Sequence, residues 1–226
     1  RAFTVAQSGT PGPVIVSLPE DMLLDQTYSS ALGPTVIAQP KPNNDEIKEI
    51  CDRLSEAKRP VIIAGGQIGG ADGREALRVV AESWNTPVAV SWRHQDLFNG
   101  DHPNFACHLA FNMPSVFKDT LNEADLIIAI GTRLGDVVTQ GYKIPKAPKP
   151  KQKLVHVYND ASPLGKIFHT DLAVVADATE TLRAMAQINA PEPPIGRKDW
   201  IKKAHALSAD KMVWDMAEAE DGVPFG

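Results

Sequence analysis

Apolar residues fall in short unbroken runs along the middle of the chain, and most runs are followed by a stretch with helical spacing. Residues 61–64 (VIIA), 87–91 (PVAVS), 125–132 (DLIIAIGT), 153–160 (KLVHVYND) and 171–177 (DLAVVAD) are apolar on consecutive positions rather than alternate ones. Runs of this kind mark strands buried on both faces. Ile47, Ile50, Cys51 and Leu54 recur at helical spacing in residues 45–57, with Asn44 or Asp45 as N-cap. Ala76, Leu77, Val80 and Ala81 do the same in residues 73–84, and a further helix is predicted over 179–189. Strands alternating with helices predict an α/β fold, a Rossmann-like parallel sheet with helices on both faces, over residues 38–190.

Three proline-rich stretches, 39–44 (QPKPNN), 145–152 (PKAPKPKQ) and 190–197 (APEPPIGR), interrupt this pattern, because proline removes a donor and restricts its neighbour. They set off a leader and a tail. In the leader, the apolar residues 14–18 between Pro13 and Pro19 predict a short buried strand; in the tail, residues 198–216 have a helical pattern.

Composition narrows the function classes. With 43% hydrophobic and 23% charged residues the chain reads as an ordinary folded one. A formal charge of −5, with basic residues spread along the sequence except for one Lys/Pro patch, argues against a nucleic-acid partner, which needs concentrated positive charge. No apolar run approaches the ~20 residues that cross a bilayer, and no secretory leader pattern is present. Cys51 and Cys107 have no CxxC or metal spacing, which points to a reducing, cytoplasmic setting. The opening Arg1, inside the helix-like RAFTVAQS, fits a piece cut from a longer protein.

In a parallel sheet, ligands bind at the loops after the strands. Gly65, Gly66, Gly69 and Gly70 follow the first run, but their spacing misses G-x-G-x-x-G. They make either a phosphate loop, with free N–H groups at the next helix, or a tight turn. Gly131, Thr132 and Arg133 follow the most apolar run; Arg133 suits a phosphate or carboxylate, or an ion pair with a neighbouring domain. Asp160 ends the next run and reads as a ribose-hydroxyl acceptor or an Asx-turn. The histidines at 94, 102, 108, 156, 169 and 205 show no metal or nucleophile spacing, so no catalytic or metal-ligating residue is assigned. Lys146, Lys149, Lys151 and Lys153 read as a solvated linker.

The segments GPVIVSLPEDM, AKRPVIIAGG, DHPNFACHLAF, ADLIIAIGTRLGD, VHVYNDA and VVADATETLRAM follow one another as in the thiamine diphosphate-dependent enzymes of the acetolactate synthase-like superfamily, which the chain resembles over nearly its whole length. The resemblance implies the tail end of a pyrimidine-binding domain in residues 1–30, a central Rossmann-like domain in 38–190, and the lead-in to a pyrophosphate-binding domain in 198–226. It also implies a lyase or carboligase acting on a 2-oxo acid or acyl-coenzyme A, with thiamine diphosphate and Mg in a homodimeric or homotetrameric parent. The cofactor-activating glutamate and the GDG motif would lie outside this segment, which alone would be inactive. By the same resemblance Gly65, Gly66, Gly131, Thr132, Arg133 and Asp160 line a nucleotide site.

Cys107 and Ala110 stand where acetolactate synthases carry glycines; Gly135 and Val137 also depart from the flavin pattern, as do Gln95 and Asp96 from the common K-G. That implies no FAD and leaves room for an adenine nucleotide. The alternative is a free-standing nucleotide-binding or regulatory module of the same fold.

Overall fold

The apolar runs become strands because both of their faces are covered. The computed structural model describes residues 1–111, 113 and 115–212. The strands are β1 (Pro60–Ala64), β2 (Val88–Ser91), β3 (Phe105–Leu109), β4 (Leu126–Ile130), β5 (Lys153–Tyr158) and β6 (Leu172–Val175). The helices are α1 (Ala2–Gln7), α2 (Asn44–Glu56), α3 (Gly70–Ser83), α4 (Ser115–Glu123), α5 (Ala178–Ala186) and α6 (Arg197–Met212). The strands form one sheet in the order β3-β2-β1-β4-β5-β6, and every neighbouring pair is parallel.

Side chains of β1 and β4 alternate between two cores. Ile62, Ile128 and Ile130 pack with Ile50, Leu54, Leu77 and Leu182 from α2, α3 and α5. Val61, Ile63 and Ile127 pack on the other face with Phe117, Leu121 and Trp200 from α4 and α6. Each isoleucine so buried contributes about 2–3 kcal/mol of apolar transfer. Helix α6 is fixed to the sheet by the Trp200 indole N–H, which donates to the Pro60 carbonyl at 2.8 Å.

Several local expectations are corrected. Residues 14–18 form no strand: Ile15 is 94% exposed, because no strand edge lies beside this run to accept its hydrogen bonds. Helix α2 is capped by Asn43, not Asn44 or Asp45; the Asn43 side chain accepts from the Glu46 N–H, and Glu46 accepts from the Asn43 N–H, both at 2.8 Å. Strand β3 and helix α4 were not anticipated from the pattern. Lys153 opens β5 and pairs with Asp171 at 2.9 Å, so it is not part of a linker. The predicted tail helix is present from Arg197 to Met212, and its remainder lies outside the described residues.

Candidate functional site

The strand order reverses between β1 and β4, so the loops leaving their carboxyl ends diverge and open a crevice. Its volume is about 1230 Å³. Loops after β1, β2, β4, β5 and β6 all contribute to its walls, because parallel strands place every carboxyl end on one edge of the sheet.

Gly66, Gly131, Thr132 and Arg133 line the crevice together. Gly65 and Asp160 are not among its lining residues. Gly65 serves packing: a Cβ there would collide with the Gly131 backbone and the Thr132 side chain, while its N–H donates to the Ile130 carbonyl at 2.9 Å. Gly66 lies beneath the His94 imidazole, which fills the space that a Cβ would need. Gly131 adopts φ +68°, a left-handed conformation that favours glycine.

Immediately after Gly66 the backbone donors are already engaged. Gln67 N–H donates to the Gly131 carbonyl at 3.2 Å, Ile68 N–H to the Gly65 carbonyl at 3.0 Å, and Gly69 N–H to the Thr179 hydroxyl at 3.0 Å. The donors of residues 67–69 therefore serve the fold, and within the crevice the charged side chains are the groups placed to meet an anion.

Those side chains are Arg93, Arg133 and Lys166, all exposed at the crevice and without a carboxylate partner among the described residues. Arg93 lies 4.0 Å from the centre of the Trp92 ring, which orients its charge. Of the acids present, Asp136 accepts from the Val137 N–H and Asp177 from the Glu180 N–H at the start of α5. The crevice is thus locally cationic in a chain of net charge −5.

The loops are braced from below. Gln67 and Asn159 exchange side-chain and backbone hydrogen bonds across the reversal point. Buried His156 donates its Nε2–H to the Thr132 carbonyl at 2.8 Å; burial pushes its pKa down, while this bond acts in the opposite direction. Asp160 makes an Asx-turn, accepting from the Ser162 N–H at 2.8 Å, and also accepts from the Thr10 hydroxyl; hydrogen bonds from Ser162 and Thr10 hold its carboxyl below the ordinary range. Arg93, His94, Gln67, Asn159 and Lys166 carry no motif, and only their positions after strands could have flagged the first four.

Cys107 lies in the β3 core, 1% exposed, and neither it nor Ala110 lines the crevice. The exclusion of flavin loses the support drawn from added volume at these two positions. Among the described residues no group of three or more His, Cys, Asp or Glu is placed to hold a metal ion, and no helix is long and apolar enough to cross a membrane.

Comparison with known proteins supplies the context. The family described as thiamine pyrophosphate enzyme, central domain, matches residues 47–185. The acetolactate synthase large subunit of Buchnera aphidicola subsp. Schizaphis graminum is 30% identical over 207 residues, covering 88% of this chain and 36% of that protein. The acetolactate synthase large subunit of Lactococcus lactis is 30% identical over 224 residues, covering 89% and 35% respectively. A solved structure of a Mycobacterium smegmatis protein, assigned as thiamin diphosphate-dependent, superposes with a TM-score of 0.65 at 22% identity, over 86% of this chain and 37% of that one. At that identity the superposition speaks for the fold alone. The chain spans about a third of the length of these relatives.

Proposed function

The chain belongs to the thiamine pyrophosphate enzymes and carries their central domain, and on that premise we propose that it is the middle segment of a carboligase or lyase acting on a 2-oxo acid or acyl-coenzyme A, with its crevice taking the diphosphate of an adenine nucleotide. The likeness to acetolactate synthases supports the reaction class. Thiamine diphosphate, with Mg, would supply the means to make or break a bond beside a carbonyl. In this reading its site belongs to other parts of the longer protein. Homodimer or homotetramer assembly and a cytoplasmic setting belong to the same reading, as do the domain assignments of residues 1–30 and 198–226.

The observation that carries the nucleotide reading is the set of three cations, Arg93, Arg133 and Lys166, that line the crevice opened by the strand-order reversal without a carboxylate partner among the described residues. A diphosphate accepts from such groups, and the planar guanidinium of Arg133 suits two of its oxygens at once. Trp92 and Tyr142 in the same walls offer apolar faces to a base. Arg133→Ala should weaken ADP binding by about 1.5 to 3 kcal/mol, the contribution of a hydrogen bond to a charged group. Titration calorimetry with ADP checks this. No heat with the unaltered chain at millimolar ADP, or equal binding by Arg133→Ala, would exclude the reading.

A further inference from the structure

His102, His108, His156 and His205 each engage a ring nitrogen in a hydrogen bond, with Glu82, Gln95, the Thr132 carbonyl and the Phe105 carbonyl respectively. His94, in the crevice wall, has no such partner among the described residues, and no carboxylate pairs with it. Its half-buried ring lies over Gly66, where a Cβ would strike Cε1 and Nε2. Gly66 is itself exposed, and its N–H has no acceptor among the described residues, whereas the N–H groups of Gly65, Gln67 and Ile68 around it all have one. The His94 N–H closes a tight turn onto the Ser91 carbonyl at 3.0 Å, and the third residue of that turn, Arg93, takes φ +69°. Turns of this kind give that place to glycine or asparagine. An arginine held there stores backbone strain, which collects at ligand sites.

We infer that the His94 imidazole takes up a proton from solvent as a diphosphate enters the crevice, and that the imidazolium, the Gly66 N–H and the Arg93 guanidinium then hold one phosphate group between them. The inference rests on the adenine-nucleotide reading above and adds a pH dependence to its anion site. A neutral imidazole carries one N–H donor; protonation gives it a second and a charge, which strengthens its hydrogen bonds to an anion. The charged groups around the ring decide when the proton arrives. Arg93, Arg133 and Lys166 share the crevice and oppose a further positive charge in the absence of an anion. Asp136 and Asp177, the acids of these walls, are engaged by the Val137 and Glu180 N–H groups, and the phenols of Tyr142 and Tyr158 complete the titratable set. A phosphate supplies the missing negative charge, so binding and protonation favour each other reciprocally.

The test compares ADP binding by the unaltered chain and by His94→Phe, which keeps a ring over Gly66 but cannot take a proton. Calorimetry at pH 7 in Pipes and in Tris, buffers of different ionisation enthalpy, counts the protons taken up on binding. The unaltered chain should take up more than the variant, and its advantage in affinity should grow about tenfold from pH 8.5 to 6.5. The terminal phosphate of ADP titrates in the same range, but it does so for both chains alike. His94→Gln, which keeps a neutral donor, should lose the proton uptake in the same way. If the three chains bind ADP with equal proton counts and parallel pH profiles, His94 has no part in the site and the nucleotide reading stands. Should the unaltered chain fail to bind ADP, inorganic pyrophosphate separates the two readings. Proton uptake that depends on His94 with pyrophosphate alone keeps the anion site and removes the adenine nucleotide; no binding of either probe removes both.

Discussion

Arg197 carries its charge into the interior, 1% exposed, with no carboxylate in ion-pair contact among the described residues. Its guanidinium donates to the carbonyls of Leu54, Ser55 and Ala57 at the end of α2, and of Trp84 at the end of α3. Burial lowers its pKa, with a partial offset from Asp125, yet a guanidinium remains charged. Helix C-termini favour a cation, so one side chain satisfies the loose ends of two helices and fixes where α6 begins. Arg197→Leu should cost about 2–4 kcal/mol, because it leaves those carbonyls buried without donors. Arg197→Lys should recover only a minor part, since an ammonium cannot span carbonyls on two helices. Urea denaturation midpoints measure both. The sequence offered no sign of this role, since the partners of Arg197 lie more than a hundred positions away. Gly65, Gly66 and Gly131 were visible as glycines for a different reason: loops after strands need close backbone approach. What approaches them, the Thr132 side chain and the His94 ring, could not be read locally.

Elements were legible where their signal is local. Strands β1, β4 and β5 are buried along nearly their whole length, so their composition is uniform and stands out. Strand β3, FACHL, mixes Cys and His with apolar residues and follows a turn-rich stretch, and α4 is short, so neither pattern rises above its surroundings. The error at residues 14–18 has the opposite cause: an apolar run supplies strand propensity, but only a neighbouring edge makes a strand. At α2 the Asn43 to Glu46 spacing is a capping box that the sequence does display, hidden among adjacent Asn, Asp and Glu candidates. Asn43→Ala should therefore destabilise the chain by about 1 kcal/mol, whereas Asn44→Ala should be near neutral, as chemical denaturation of the two variants will show.

Across the whole molecule, the location of the crevice follows from the parallel sheet, and its contents do not. Topology dictates that all six strand ends share one edge, but which side chains remain unpaired there depends on the tertiary partners of every charge. Titration acts on the same scale. Burial lowers the pKa values of His156 and His108, so the unfolded chain takes up protons near the ordinary 6.5 before the folded one does. Their contribution is fully present above pH 6.5 and is lost as pH falls below it. Asp160, held below its ordinary 3.8 by Ser162 and Thr10, adds a loss only under more acid conditions. Denaturation midpoints measured from pH 8 downward should be level and then fall below 6.5, and His156→Gln, which keeps a donor for Thr132, should flatten much of that fall. The strand order also has a consequence in time. Strand β1 meets β2 soon after synthesis, but its other edge waits for β4, and residues 92–130 must be made first. At about 5–20 residues per second that interval lasts roughly 2 to 8 s. For those seconds one of the two central strands of the finished sheet is an open edge, able to pair with whatever extended chain a ribosome brings near it.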